Sequence, residues 1–189
     1  MFNGGDRRDL LKQATDKWLG SLMEQAEERI IRRRFVRPPG ALTEVAFLAA
    51  CTRCNACVDV CPPRAIRTAS SGEGFAAGTP YLEVELQPCV ACPDMPCASA
   101  CPTGALTRPE KIWEGYKLHV LELVPERCVT FSGVTCSACA DSCPVGATAL
   151  AMDPEGHPVI KAEGCVGCGV CVRACITSPS SFKLYAVER

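Results

Sequence analysis

Hydrophobic and polar positions alternate in only a few short stretches of this chain. Between residues 81 and 86, apolar Leu82, Val84 and Leu86 alternate with Glu83 and Glu85, the period of a half-exposed strand. Ala149-Leu150-Ala151 and Val159-Ile160 flank the turn sequence Asp153-Pro154-Glu155-Gly156 and so predict a hairpin. Residues 117–124 and 182–187 also read as strands. The first 36 residues follow a different period: Leu11, Ala14, Trp18, Leu22, Ala26 and Ile30 recur at three to four residues, one face of a helix. Asp6 caps its start, Asp9 sits in its first turn, Arg32-Arg33-Arg34 favour its end and Pro38-Pro39-Gly40 stops it. Such a helix is roughly 40 Å long. Its apolar stripe either folds over its own body or covers another subunit or a second copy of the chain, and docking is the expected use.

Between these elements the chain is dominated by cysteine. There are 16 Cys in 189 residues, against only 2 Trp, 3 Tyr and 6 Phe, with 15 Gly and 15 Pro breaking it into short pieces. At about 8% cysteine, side-chain packing alone is a poor source of stability. Disulfides, zinc and iron–sulfur clusters are the competing uses. Disulfides need an oxidising compartment and, normally, an export signal. Arg7-Arg8-Asp9-Leu10-Leu11-Lys12 resembles a twin-arginine export motif, but Asp16, Lys17, Glu24, Glu27 and Glu28 fill the place of its apolar stretch. That segment reads as the basic start of the amphipathic helix, and the chain as soluble and cytoplasmic. No window approaches the length of a membrane span.

The cysteines fall into four groups, a self-similarity that organises the chain. The first is Cys51, Cys54, Cys57 and Cys61; the second is Cys89, Cys92, Cys97 and Cys101. The third is Cys128, Cys136, Cys139 and Cys143; the fourth is Cys165, Cys168, Cys171 and Cys175. Proline follows the first three groups, and Ile176 follows the fourth. Groups one and four match C-x2-C-x2-C-x3-C; the second has one longer gap, and the third stretches its first gap through residues 129–135. Three cysteines at two-residue gaps wrap three corners of a cubane, while the fourth faces away and ligates another cluster. Zinc ribbons pair C-x2-C units and have no use for the third and fourth cysteines. Four [4Fe–4S] clusters with all sixteen cysteines as iron ligands are therefore expected, with no incomplete cluster. Oxidised clusters, each adding about −2, take the formal charge of −1 to about −9 and favour a positively lined partner. Arg53, Arg64 and Arg67 near the first group read as solvated charges, or as groups that raise its potential or meet a partner. Gly164, Gly167 and Gly169 read as close-approach or tight-turn positions. His119 and His157 read as structural, and no catalytic residue is expected.

From these residues the chain resembles the NapG/MauM-type polyferredoxins and, more broadly, the four-cluster subunits of molybdenum and tungsten oxidoreductases. The matching residues are Arg37-Pro38-Pro39-Gly40-Ala41, Gly78-Thr79-Pro80-Tyr81, Cys97 through Cys101-Pro102-Thr103-Gly104-Ala105-Leu106, Phe131-Ser132-Gly133 and Gly167-Cys168-Gly169. The N-terminus departs, since the family typically carries a complete export signal. The resemblance implies an α+β fold of two interlocked bacterial-ferredoxin-like units behind the N-terminal α-helix. Behind the helix read over 1–36 lies a four-cluster domain 37–189, which the resemblance divides into an outer unit of 37–80 with 150–189 and an inner unit of 81–149. Group one then shares clusters with group four and group two with group three, so that Cys175 joins Cys51, Cys54 and Cys57. The sequential alternative, one with two and three with four, stays open because the 21 residues between Cys143 and Cys165 permit it. The resemblance also implies an electron-transfer subunit that serves a molybdenum or tungsten catalytic subunit and a second partner such as a flavoprotein, without nucleic acid. A ferredoxin-type maturation factor is the alternative function, and a zinc-stapled scaffold a third.

Overall fold

The computed structural model describes residues 17, 18, 35–109 and 117–187. The chain divides into two compact units, Met1–Arg34 and Phe35–Arg189. In the first, Lys17 and Trp18 are helical; the rest of the expected N-terminal helix lies outside the described residues.

The second unit is one small plan used twice. In its first half, helix α1 (Glu44–Ala50) leads into the first cysteine loop, whose single-turn helix α2 (Ala56–Asp59) is followed by strand β1 (Ile66–Thr68). Strand β2 (Pro80–Leu82) returns antiparallel to β1, and the second loop carries helix α3 (Pro96–Ser99). Bridges from Val36 to Leu82 and from Ala41 to Leu106 close the half. The second half opens on β3 (His119–Leu123), passes through α4 (Ala138–Asp141), and forms the hairpin of β4 (Leu150–Met152) and β5 (Pro158–Ile160). After α5 (Val170–Ala174), β6 (Phe182–Ala186) closes it by pairing antiparallel with β3, Leu121 opposite Leu184 and Leu123 opposite Phe182.

Each half is thus an inner hairpin and an outer closing pair around two cysteine loops. The hairpin expected at Asp153–Gly156 is present, and so are the strands at 119–123 and 182–186. The strand expected over 81–86 ends at Leu82, because the N–H groups of Leu86 and Gln87 turn back onto the Glu83 carbonyl. That turn carries Val84 into the core at 5% exposure and leaves Leu86 outside. The halves are contiguous in sequence, so the outer and inner units implied by the resemblance are not the ones formed. Helix α2 packs on α3 and α4 on α5, which ties group one to group two and group three to group four.

One apolar core runs through the first half and on to Leu118, Val166 and Cys168 of the second; a smaller one gathers Cys139, Leu150, Cys171 and Phe182. The halves meet where the Val84 side chain lies against Gly169, and Arg173 donates to the Leu86 carbonyl at 3.2 Å.

Candidate metal centres

The four single-turn helices position the site. Each carries the third cysteine of its group, Cys57, Cys97, Cys139 or Cys171, and all four are buried. The loop leading into each helix must curl tightly around a common centre. In groups one, two and four the residue before the second cysteine is left-handed: Arg53 (φ 60°), Ala91 (φ 49°) and Gly167 (φ 68°). So is the residue two before the third: Asn55 (φ 63°), Met95 (φ 43°) and Gly169 (φ 84°). Only the fourth group uses glycine for this; elsewhere the backbone accepts roughly 1 kcal/mol of strain per residue, the kind concentrated at functional sites. The two glycines are therefore turn residues first. They also have neighbours: a Cβ on Gly167 would overlap the His119 backbone, and one on Gly169 would press on Val84. Gly164 abuts the Thr148 carbonyl, where a Cβ would overlap it.

Three chambers of nearly equal size, about 320, 330 and 330 Å³ including space open to solvent, are each lined by four cysteines. Set I is Cys51, Cys54, Cys57 and Cys101; set III is Cys128, Cys136, Cys139 and Cys175; set IV is Cys143, Cys165, Cys168 and Cys171. Electrostatics draws the remaining four together as set II: Cys92 and Cys97 both feel Cys61, and Cys89 feels Cys97 and Cys61. Every set is three cysteines of one group plus the last cysteine of its neighbour. The exchange runs between groups one and two and between groups three and four. This overturns the nested pairing: Cys175 stands with Cys128, Cys136 and Cys139, far from Cys51, Cys54 and Cys57.

The donor sets fit cubanes. Burial, and then the charges of Cys51 and Cys97, push the Cys57 thiol up to about 12. Burial likewise lifts Cys89 to about 12 and Cys97 and Cys168 to about 11, and raises Cys171. Four thiols in an apolar chamber resist ionising together, and a cationic core relieves them. Among the described residues, no three His, Cys, Asp or Glu side chains stand close enough to hold a single metal ion. Yet four cysteines surround each chamber. Four thiolates around one chamber are the ligand set of a [4Fe–4S] core.

Backbone N–H groups reach the sulfurs of the exchanged cysteines: Ala65 to Cys61 at 3.3 Å, Leu106 to Cys101 at 3.5 Å and Ser181 to Cys175 at 3.4 Å. At Cys101 burial is outweighed by such donors and the thiol falls below its ordinary range. At Cys175 burial is again outweighed, by Thr177 and Ser181, and the thiol drops to about 6. Sequence reasoning missed these hydroxyls, although a threonine two residues after Cys101, Cys128 and Cys175 was a visible signal. It also missed that Arg53 is a clip: its guanidinium donates to the Phe75, Ala77 and Cys51 carbonyls beside set I. Arg67 meets Glu83 at 3.6 Å on the surface.

The sets are also electrostatic neighbours. Cys57 of set I feels Cys97 of set II, Cys89 of set II feels Cys168 of set IV, and Cys171 of set IV feels Cys139 of set III. They stand in the order I, II, IV, III.

The 4Fe-4S dicluster domain matches residues 50–105 and again 132–178, one match per half. The methylamine utilization ferredoxin-type protein MauM of Methylorubrum extorquens is 39% identical over 161 residues, 81% of this chain and 73% of that protein. The ferredoxin-type protein NapG of Escherichia coli is 35% identical over 160 residues, 79% of this chain and 69% of that protein. A solved formate dehydrogenase–heterodisulfide reductase–formylmethanofuran dehydrogenase complex from Methanospirillum hungatei has a chain 26% identical to this one. It covers 75% of this chain and 52% of that one at a TM-score of 0.27.

Proposed function

The chain belongs to the NapG/MauM family of ferredoxin-type proteins, and on that premise we propose that it is the electron-conducting subunit of an oxidoreductase complex. Its cofactors are four [4Fe–4S] clusters, which supply one-electron redox chemistry when bound. The observation that carries the reading is the single row of four cysteine sets. Sets II and IV lie inside, with Cys89, Cys97, Cys168 and Cys171 buried, while Cys54 of set I is exposed. The chain's own residues hold all sixteen ligands, shield the middle of the row and leave its two ends for two different partners.

The partner at one end is a catalytic subunit with a molybdenum or tungsten cofactor, and the second partner is a protein such as a flavoprotein. Support comes from the kinship with electron carriers and from the predicted charge of the loaded protein, which calls for a positively lined contact. The cytoplasm is the compartment, on the ground of the charged residues behind Arg7-Arg8. Segment 1–36 supplies an apolar stripe for assembly with another subunit or a second copy.

Anaerobic purification of the full chain from its native cell tests this. We expect about sixteen iron and sixteen sulfide per chain and a stoichiometric redox enzyme in the same assembly, in the soluble cytoplasmic fraction. Trp18→Asp with Leu22→Asp should lower the assembly's mass without loss of iron. Stoichiometric zinc in place of iron would overturn the cluster reading. Binding to apo-enzyme alone would favour a maturation factor.

A further inference from the structure

The two ends of the row are not alike. At set I, Cys101 receives the Leu106 N–H at 3.5 Å and has a single hydroxyl nearby, Thr103 Oγ1 at 3.8 Å. At set III the Thr130 hydroxyl lies 3.2 Å from Cys128 Sγ, and the Thr177 hydroxyl 3.1 Å from Cys175 Sγ. The Ser181 N–H donates to the same Cys175 sulfur at 3.4 Å, and the Ser181 hydroxyl oxygen lies 3.5 Å from it. Ser181 is 1% exposed and Thr130 8%, so these are buried polar groups whose partners are ligand sulfurs.

The proton inventory fixes the directions. A ligating cysteine is a thiolate and only accepts. Thr130 therefore gives its one hydroxyl proton to Cys128. The imidazole of His157, whose Nδ1 is 3.1 Å from the same oxygen, must then donate to it. His157 is held in that orientation by stacking on Phe131, ring centroids 4.1 Å apart at an interplanar angle of 6°, and its backbone N–H donates to Asp153 at 2.7 Å. At Cys175, Thr177 donates to sulfur. Ser181 Oγ, 2.9 Å from Thr177 Oγ1, either shares that sulfur or polarises the threonine.

We infer that these hydroxyls make the cluster of set III the highest-potential station of the row, the end where an electron comes to rest. Reduction adds negative charge to the sulfurs; donors aimed at them stabilise the reduced state and raise the potential. Exposure separates both ends from the middle, and the hydroxyls separate set III from set I, whose Cys54 is exposed. Cys128, Cys136 and Cys175 are partly exposed, whereas the inner sets keep two buried cysteines each. His157 is a positioning residue, acting through Thr130. The inference rests on the four-cluster reading and adds a polarity: delivery at set I and collection at set III.

A redox titration of the full holoprotein followed by electron paramagnetic resonance, with iron counted in parallel, tests it. Thr130→Val and Thr177→Val should each lower the midpoint of one cluster, the same one, and that cluster should be the highest of the four in the unsubstituted protein. Thr130→Ser and Thr177→Ser keep the hydroxyl and should restore it. The double valine variant should shift its reduced-to-oxidised ratio at fixed potential by about tenfold, equivalent to about 59 mV for one electron. His157→Phe, which keeps the stack, should move the same cluster by less. Full iron with an unmoved midpoint, or movement of a cluster that is not the highest, overturns this inference while leaving the four-cluster reading intact. Missing iron in the unsubstituted protein would instead overturn that reading.

Discussion

Arg37 is a charged residue at 4% exposure, held because every face of its guanidinium is used. Nε and Nη2 grip the Glu44 carboxylate at 2.9 and 2.6 Å, and Nη1 donates to Thr79 Oγ1 and the Pro80 carbonyl at 2.8 Å each. Its face lies over Phe47 at 4.7 Å and Phe35 at 5.2 Å. It therefore ties helix α1 to strand β2 and holds the entrance to the first cysteine loop. Arg37→Met leaves Glu44 without its partner and Thr79, fully buried, without a donor. A loss of about 3 kcal/mol is expected, as for breaking a buried pair from one side. The readout is an earlier denaturant midpoint for bleaching of the iron–sulfur absorption. Lysine should not rescue it, since an ammonium cannot span the carboxylate and two further acceptors in one plane.

Among the elements, the single-turn helices matter more than their size suggests. Each is too short to be stable alone. They form because α2 lies on α3 and α4 on α5, with a buried cysteine in each. The exchange of fourth cysteines is the same contact seen from the sulfur side. Cys175→Ser should therefore alter the same spectroscopic signal that Thr130→Val moves, because Cys175 and Cys128 line one chamber. Cys101→Ser should alter a different one, the signal of Cys51, Cys54 and Cys57. If Cys175→Ser and Thr130→Val touched separate signals, the pairing of group three with group four would be wrong.

The four-cluster body depends on how its two halves meet. The contact includes Val84 against Gly169, Arg173 to the Leu86 carbonyl, and a core that continues into Leu118 and Val166. It brings Cys89 and Cys168 within reach of each other's charge and so joins two dicluster units into one row. Gly169→Ala places a Cβ 3.2 Å from that of Val84 at a φ of +84°, which strains the loop and wedges the halves. Arg173→Ala removes the second tie with no demand on the loop. Both should weaken the magnetic coupling between the two inner clusters, seen as narrower lines in the fully reduced spectrum. Iron should stay complete in Arg173→Ala.

The cysteine runs carried their chemistry openly because ligand spacing is a local property. Two residues between sulfurs set how a loop wraps a cubane wherever that loop ends up, so the sixteen-cysteine pattern, the three-plus-one division and the hairpin at Asp153–Gly156 could be read from neighbouring residues alone. What lay beyond reach was every choice between distant partners. Cys61 and Cys175 look the same in sequence whichever group receives them, and the connection between Cys143 and Cys165 is long enough for either pairing. The packing of α4 on α5 and the closing of β3 against β6 make the choice, since those contacts bury Phe182, Cys139 and Cys171 together and pack half-buried Leu121 and Cys175 against them. Alternation extended the strand at 81–86 too far for a related reason: Val84 is apolar because it faces Gly169 of the other half, not because it continues β2. His157 and Ser181 gave no local sign of a role, as each acts on a sulfur through a contact that exists only once the chain has folded.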